Sequence, residues 1–187
     1  ALLAEAHALG QDVARVHSGD PSLYGAIGEQ IRELRALNIP FEIVPGVTAT
    51  AACAALLEAE LTLPEVAQTV ILTRYGHNSP MPAGEELGAL ASHRATLAIH
   101  LGVQHLPRII DELLPYYGAD CPIAVVHRAS WPDQDWVRGT LADIEARVAV
   151  KGFRRTALIL VGRVLATDDF AQSALYAEAT RHLYRLD

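Results

Sequence analysis

Apolar and polar positions along the chain switch repeatedly between helical and strand periods. ALLAEAHAL (1–9) spaces its apolar residues as a helix and stops at Gly10. DVARVHSG (12–19) carries Val13 and Val16 ahead of a glycine exit and predicts a strand. Leu23, Ile27, Ile31, Leu34 and Leu37 then recur at three- to four-residue intervals, which predicts a helix over 22–37. FEIV (41–44) reads as a short strand closed by Pro45-Gly46, and the small apolar run at 49–59 as a buried helix. LTLPEVAQ (60–67) connects to a second half. Its predicted strands are 68–73, 96–101, 122–127, 136–141 and 157–165, and its helices 106–117, 142–150 and the tail 168–187. A polar loop holding two prolines, 74–84, follows the first of these strands. Strands separated by helices predict an α/β organisation with largely parallel sheets.

Composition narrows this reading. The 187 residues are 51% hydrophobic and contain no low-complexity run, so one domain or two small ones can build a core and disorder is excluded. No apolar stretch approaches the ~20 residues of a membrane-spanning helix. Fifteen basic against 22 acidic residues leave a net charge of −7, which disfavours a nucleic-acid partner while allowing a local arginine patch. Cys53 sits in an Ala-rich run and Cys121 precedes Pro122, neither in a ligand or redox spacing. Buried thiols in a reducing compartment, and hence a cytoplasmic location, are expected. The single methionine is Met81, and the chain opens inside a helical pattern, which reads as the ordered part of a longer chain.

Ligands of α/β folds bind outside the carboxyl ends of strands. Two turns stand at such places. In His17-Ser18-Gly19-Asp20-Pro21-Ser22-Leu23-Tyr24-Gly25, Asp20 suits an N-cap, Pro21 a first helical position, and Gly19 admits close approach to the backbone. In Glu42-Ile43-Val44-Pro45-Gly46-Val47-Thr48-Ala49, Thr48 can cap the next helix. Each is also explained as plain turn chemistry. Together they point to a small-molecule cleft without naming the ligand.

SGDPSLYG followed by FEIVPGVTATAACAA resembles the tetrapyrrole (corrin/porphyrin) methyltransferase family. The resemblance continues through TLAIHLG (96–102), VVHRASWPDQDWVRGTL (125–141) and ALILVGRVL (157–165), in order and over the whole chain. Within the family, ILTRYGHNSPMP (71–82) is most similar to the branch that methylates C11 of precorrin-4, in the corrinoid (cobalamin) pathway. The resemblance leaves a cobalt-containing substrate open.

This resemblance implies two α/β domains, 1–66 and 67–187, with S-adenosylmethionine in a cleft between them, and a homodimer. Nothing in the chain matches the family's opening strand and Gly-rich loop, GxGPGxxxLLT, so an incomplete N-terminal domain is expected. Matching positions give Ser18, Gly19, Asp20, Leu23, Thr48 and Ala49 as cofactor contacts in the first half. In the second half they give Leu101, where many relatives have Met, the small Ala129, and the backbone of Ala157 and Leu158. The substrate carries many carboxylates, for which arginine is the suited partner. Arg74 is the first candidate and Arg128 the second, with Tyr24 beside the trough; a solvated arginine or a core tyrosine is the alternative for each. Attack on a sulfonium methyl needs orientation rather than a nucleophile or a metal, so no catalytic residue is assigned, and His100 and His127 read as structural. Two alternatives remain. One keeps the cofactor and changes the acceptor to another precorrin, uroporphyrinogen III or the diphthamide precursor. The other is a non-catalytic ligand-binding or dimerisation scaffold.

Overall fold

The structure, a computed structural model, describes residues 2–76, 79–166, 170, 171 and 173. The helix expected at 168–187 therefore lies almost wholly outside the described residues. The chain forms two compact units, Ala1–Ala52 and Cys53–Asp187.

The first unit holds α1 (Leu2–Ala8), α2 (Ile27–Ala36) and the start of α3 (Ala49–Leu56). The helix expected from residue 22 starts five residues later. Residues 21–24 form a turn, and Tyr24 and Ala26 take left-handed φ values of 56° and 51°, which a helix cannot include. The strands expected at 12–19 and 41–44 carry no ladder among the described residues. An extended run becomes a strand only where a neighbour pairs its backbone groups.

The second unit is a five-stranded sheet of β1 (Val70–Arg74), β2 (Thr96–His100), β3 (Pro122–His127), β4 (Asp135–Thr140) and β5 (Ala157–Val161), in the order β1-β2-β5-β3-β4. Only β1 and β2 pair in parallel; β2–β5, β5–β3 and β3–β4 are antiparallel. The largely parallel sheet read from the sequence is thus corrected to a mixed one. The seven residues joining β3 to β4 are too few for a crossover and dictate a hairpin. The α/β class stands. β1, β2 and β3 all run one way, β4 and β5 the other.

Side-chain alternation gives the sheet two apolar faces. Leu97, Ile99, Ile123, Val125, Ile159 and Val161 face α4 (Leu87–Ala91), α5 (Leu106–Tyr117) and α6 (Ile144–Lys151). Ala98, Ala124, Val126, Leu158 and Leu160 face Cys53, Leu57, Leu63, Val164 and Leu165. Helix α5 buries Leu106, Ile109, Ile110 and Leu113, one stripe at the spacing the sequence predicts. Among the described residues no helix is long and apolar enough to cross a membrane.

Candidate functional site

In the first unit the two glycine-bearing turns are fastened to each other by Asp20. Its Oδ1 accepts from the Ser22 N–H at 2.8 Å and from the Ser22 hydroxyl, and its Oδ2 accepts from the Gly46 N–H at 2.8 Å. These donors favour the charged carboxylate and hold it below its ordinary pKa, the Ser22 hydroxyl most, then the backbone N–H groups of Gly46 and Ser22. The expected helix cap at Asp20 is not formed; the carboxylate closes a local turn and a link 26 residues long instead. Gly46 permits the approach, because a Cβ there would stand 2.2 Å from the Gly19 carbonyl oxygen. Gly19 itself has φ 71°. Ser18 and Gly19 are exposed, Leu23 is half-buried and Tyr24 exposed. The Thr48 hydroxyl accepts from the Ala51 N–H at 3.2 Å and caps α3 as anticipated, with Ala49 exposed at the first helical position.

In the second unit the remaining candidates gather along one edge of the sheet, the carboxyl ends of β1, β2 and β3 and the amino end of β5. Arg74 pairs with His100 in register, and His127 with Ala157, so Arg74, Leu101, Ala157, Arg128 and Ala129 stand side by side across four strands. Leu101, Arg128 and Thr156 all leave the edge with left-handed backbone, φ 55°, 49° and 54°, and Ser130 follows at 72°. For non-glycine residues this conformation is costly and collects at functional sites. Leu101 is 70% exposed, an apolar side chain with no core to enter. Ala129 and Ala157 are half-buried, and the Leu158 side chain is buried in the core, leaving only its backbone for a ligand.

Both candidate arginines have local partners. Arg74 donates from Nη1 to the Ser79 carbonyl at 3.0 Å and from Nη2 to the Pro80 carbonyl at 3.3 Å, clamping the loop that follows β1. Arg128 pairs with Asp133 and lies over the Trp131 ring, 4.9 Å from its centroid. A guanidinium carries five N–H donors, so neither is exhausted. Burial lowers the pKa of His100, favouring its neutral form, and His127 stacks on Phe153 at 5.0 Å, both consistent with structural roles. Tyr75 went unnoticed in the sequence, yet its hydroxyl donates to Glu112 at 2.9 Å and its N–H to the His100 carbonyl, tying the Arg74 loop to β2. Trp131 and Trp136, also unnoticed, are exposed near this edge. The signal available was SWPDQDW, two tryptophans in an otherwise turn-forming stretch.

Residues 1–145 match the family described as Tetrapyrrole (Corrin/Porphyrin) Methylases. The precorrin-4 C(11)-methyltransferase of Pseudomonas aeruginosa is 74% identical over 184 residues, 98% of this chain and 74% of that protein. The solved structure of a cobalt precorrin-4 methyltransferase, a cobalamin biosynthetic enzyme, superposes with a TM-score of 0.86 at 41% identity, covering 89% of this chain and 70% of that one. Uroporphyrin-III C-methyltransferase from Thermus thermophilus, complexed with S-adenosyl homocysteine, superposes with a TM-score of 0.68 at 29% identity, covering 88% and 72%. The chain belongs to the tetrapyrrole (corrin/porphyrin) methylase family.

Proposed function

We propose that this protein is an S-adenosylmethionine-dependent C-methyltransferase of cobalamin biosynthesis that methylates C11 of precorrin-4. The likeness to the Pseudomonas aeruginosa enzyme of that name carries the choice of acceptor. Arg74, Leu101, Arg128, Ala129 and Ala157, aligned at one sheet edge, support the placement of the chemistry.

When bound, S-adenosylmethionine supplies an electrophilic sulfonium methyl group. The chain's own residues fit such a ligand. Exposed Leu101 offers an apolar contact, and small Ala129 and Ala157 leave room for a flat ring beside the backbone of Leu158. In the first unit Ser18, Gly19, Leu23, Thr48 and Ala49 are the proposed cofactor contacts. Asp20 was expected among them, but both its oxygens are engaged by Ser22 and Gly46, and it shapes those contacts as much as it makes one. Arg74 and Arg128 are the proposed partners of substrate carboxylates, and Tyr24, which follows the first turn, is proposed to line the substrate trough. Catalysis then comes from holding the ring carbon in line with the methyl group and keeping water out. A homodimer belongs to the same proposal on the family resemblance. A cytoplasmic location is supported by the free, buried thiols of Cys53 and Cys121.

The test is calorimetric titration of the full-length protein with S-adenosylhomocysteine, followed by transfer of labelled methyl to precorrin-4. Micromolar binding and a product one methyl heavier are expected. No binding of the nucleoside refutes the cofactor assignment, and binding without transfer to this acceptor refutes the substrate. The likeness to a cobalt precorrin-4 methyltransferase favours one second reading, in which the acceptor contains cobalt. Assaying both acceptors side by side separates the two.

A further inference from the structure

The β3–β4 loop is built more rigidly than a seven-residue connection requires. The Trp131 N–H donates to the Arg128 carbonyl at 3.0 Å and the Gln134 N–H to the Trp131 carbonyl at 3.0 Å. The Ser130 N–H donates to Gln134 Oε1 at 2.8 Å. The Arg128 side chain adds its ion pair with Asp133 and its stacking on the indole. All this order serves a tryptophan that remains 49% exposed at the edge carrying the candidate site. A solvent-facing indole gains nothing from being so fixed, whereas a rigid aromatic plane is what a flat ligand needs to lose little freedom on binding.

Charge specifies the ligand further. Only one Nη of Arg128 is engaged by Asp133, and its other donors have no protein partner among the described residues. A guanidinium laid over an indole offers carboxylate recognition and an aromatic surface at one point, in a chain whose net charge is −7. Arg74 stands at the end of β1, and β2 and β5 lie between β1 and β3, so the two arginines leave the sheet roughly 14 Å apart at the usual strand spacing. That separation matches a macrocycle carrying carboxylates on opposite rings.

Resting on the methyltransferase reading above, we propose that Trp131, backed by Arg128, is a stacking platform for the conjugated ring of the polycarboxylate substrate, with Arg74 holding the far side. It is a specificity-determining residue and takes no part in methyl transfer itself.

The experiment measures the dissociation constant of uroporphyrin III, a stable flat octacarboxylate, from its fluorescence anisotropy with full-length protein. The same preparations are titrated with S-adenosylhomocysteine. Trp131→Leu should weaken porphyrin binding about tenfold, as loss of one aromatic stack implies. Trp131→Phe should retain binding within about threefold, Trp136→Phe should leave it unchanged, and S-adenosylhomocysteine affinity should stay within twofold throughout. With precorrin-4, Trp131→Leu should raise KM and leave kcat nearly intact. An unchanged porphyrin constant in Trp131→Leu overturns the proposal, as does failure of the wild type to bind the porphyrin. A matching loss of nucleoside affinity overturns it too, by assigning the indole to the adenine. If Trp131→Leu turns a dimer into a monomer in sedimentation, the ring belongs to a subunit contact and the proposal fails. Wild-type nucleoside binding and methyl transfer report on the methyltransferase reading separately.

Discussion

Gly46→Ala is the sharpest test of how the two turns of the first unit are joined. The added Cβ would stand 2.2 Å from the Gly19 carbonyl oxygen, 3.1 Å from the Gly19 carbonyl carbon and 3.3 Å from Asp20 Cα. All three obstacles are backbone, so no side chain can rotate out of the way. Non-bonded carbon contacts settle near 3.5–4.0 Å, so the turns must separate by on the order of 1 Å. The Gly46 N–H bond to Asp20, 2.8 Å long, lies across that gap and would stretch beyond the ordinary range. Overpacking of this kind costs about 1–3 kcal/mol. The stiffer unfolded chain returns about 0.4–1 kcal/mol. The middle of the two ranges leaves a net destabilisation of about 1.3 kcal/mol, and it is local. Amide hydrogen exchange is the suitable assay. Protection at positions 22 and 46 should fall about tenfold, and S-adenosylhomocysteine should bind more weakly while protection in β2, β3 and β5 is retained. Unchanged exchange at both amides, with unchanged nucleoside affinity, would refute the view that close backbone approach and the Asp20 link define this part of the site.

Other expectations follow from the same geometry. Asp20 is held below its ordinary value of 3.8 by the Ser22 hydroxyl and the two backbone donors, so its stabilising contribution is complete above pH 3.8 and is lost as pH falls through the lower folded value. A carbon-13 titration of its carboxyl giving a midpoint at or above 3.8 contradicts the link. Arg74→Ala should raise KM for the tetrapyrrole about tenfold and leave nucleoside affinity within twofold; Arg74→Lys, which keeps charge but not the two-point clamp on Ser79 and Pro80, should fall between. Equal losses of both ligands argue against its role. Cys53 and Cys121 are buried, with thiols pushed up by that burial to about 12 and about 11, so native protein should resist iodoacetamide at pH 8 and react only on unfolding. Rapid native alkylation would show that the second unit opens locally.

The core of the second unit was legible because its signals are local. The stripe on α5 and the continuous apolar runs of β2, β3 and β5 need no partner to be recognised, and each buries where its period places it. Strand direction was not legible, because pairing is decided by residues far apart in sequence. β5 slips between β2 and β3 and runs against both, a placement that no window around ALILV encodes. The β3–β4 hairpin is local by contrast, because the seven residues between His127 and Asp135 leave no room for a helix to cross over. In the first unit, Val13, Val16, Ile43 and Val44 have the composition of strands, yet all four are exposed and their segments unpaired. Composition supplies one edge of a ladder and leaves the other to a neighbour.

The site divides along the same line. Gly46 could be found in the sequence because a Cβ there would stand 2.2 Å from the Gly19 carbonyl oxygen, so residue type carried the information. Leu101, Arg128 and Thr156 carry no such signal: each is an ordinary residue held in a conformation that glycine would adopt more cheaply. A side chain is kept there at a cost, which makes its use a question that a substitution can answer. Leu101 is a candidate by resemblance and Arg128 by its charge, and both share left-handed backbone with residues far from the edge such as Asn38, Glu58 and Arg94. Replacing Leu101 by glycine separates the two demands. It relieves the left-handed backbone, so the sheet edge should be at least as stable as before, since its 70% exposed side chain contributes little packing. The same change removes the apolar contact, so S-adenosylhomocysteine should bind several-fold more weakly. A variant that loses stability and keeps its affinity would mean that Leu101 serves the fold rather than the ligand.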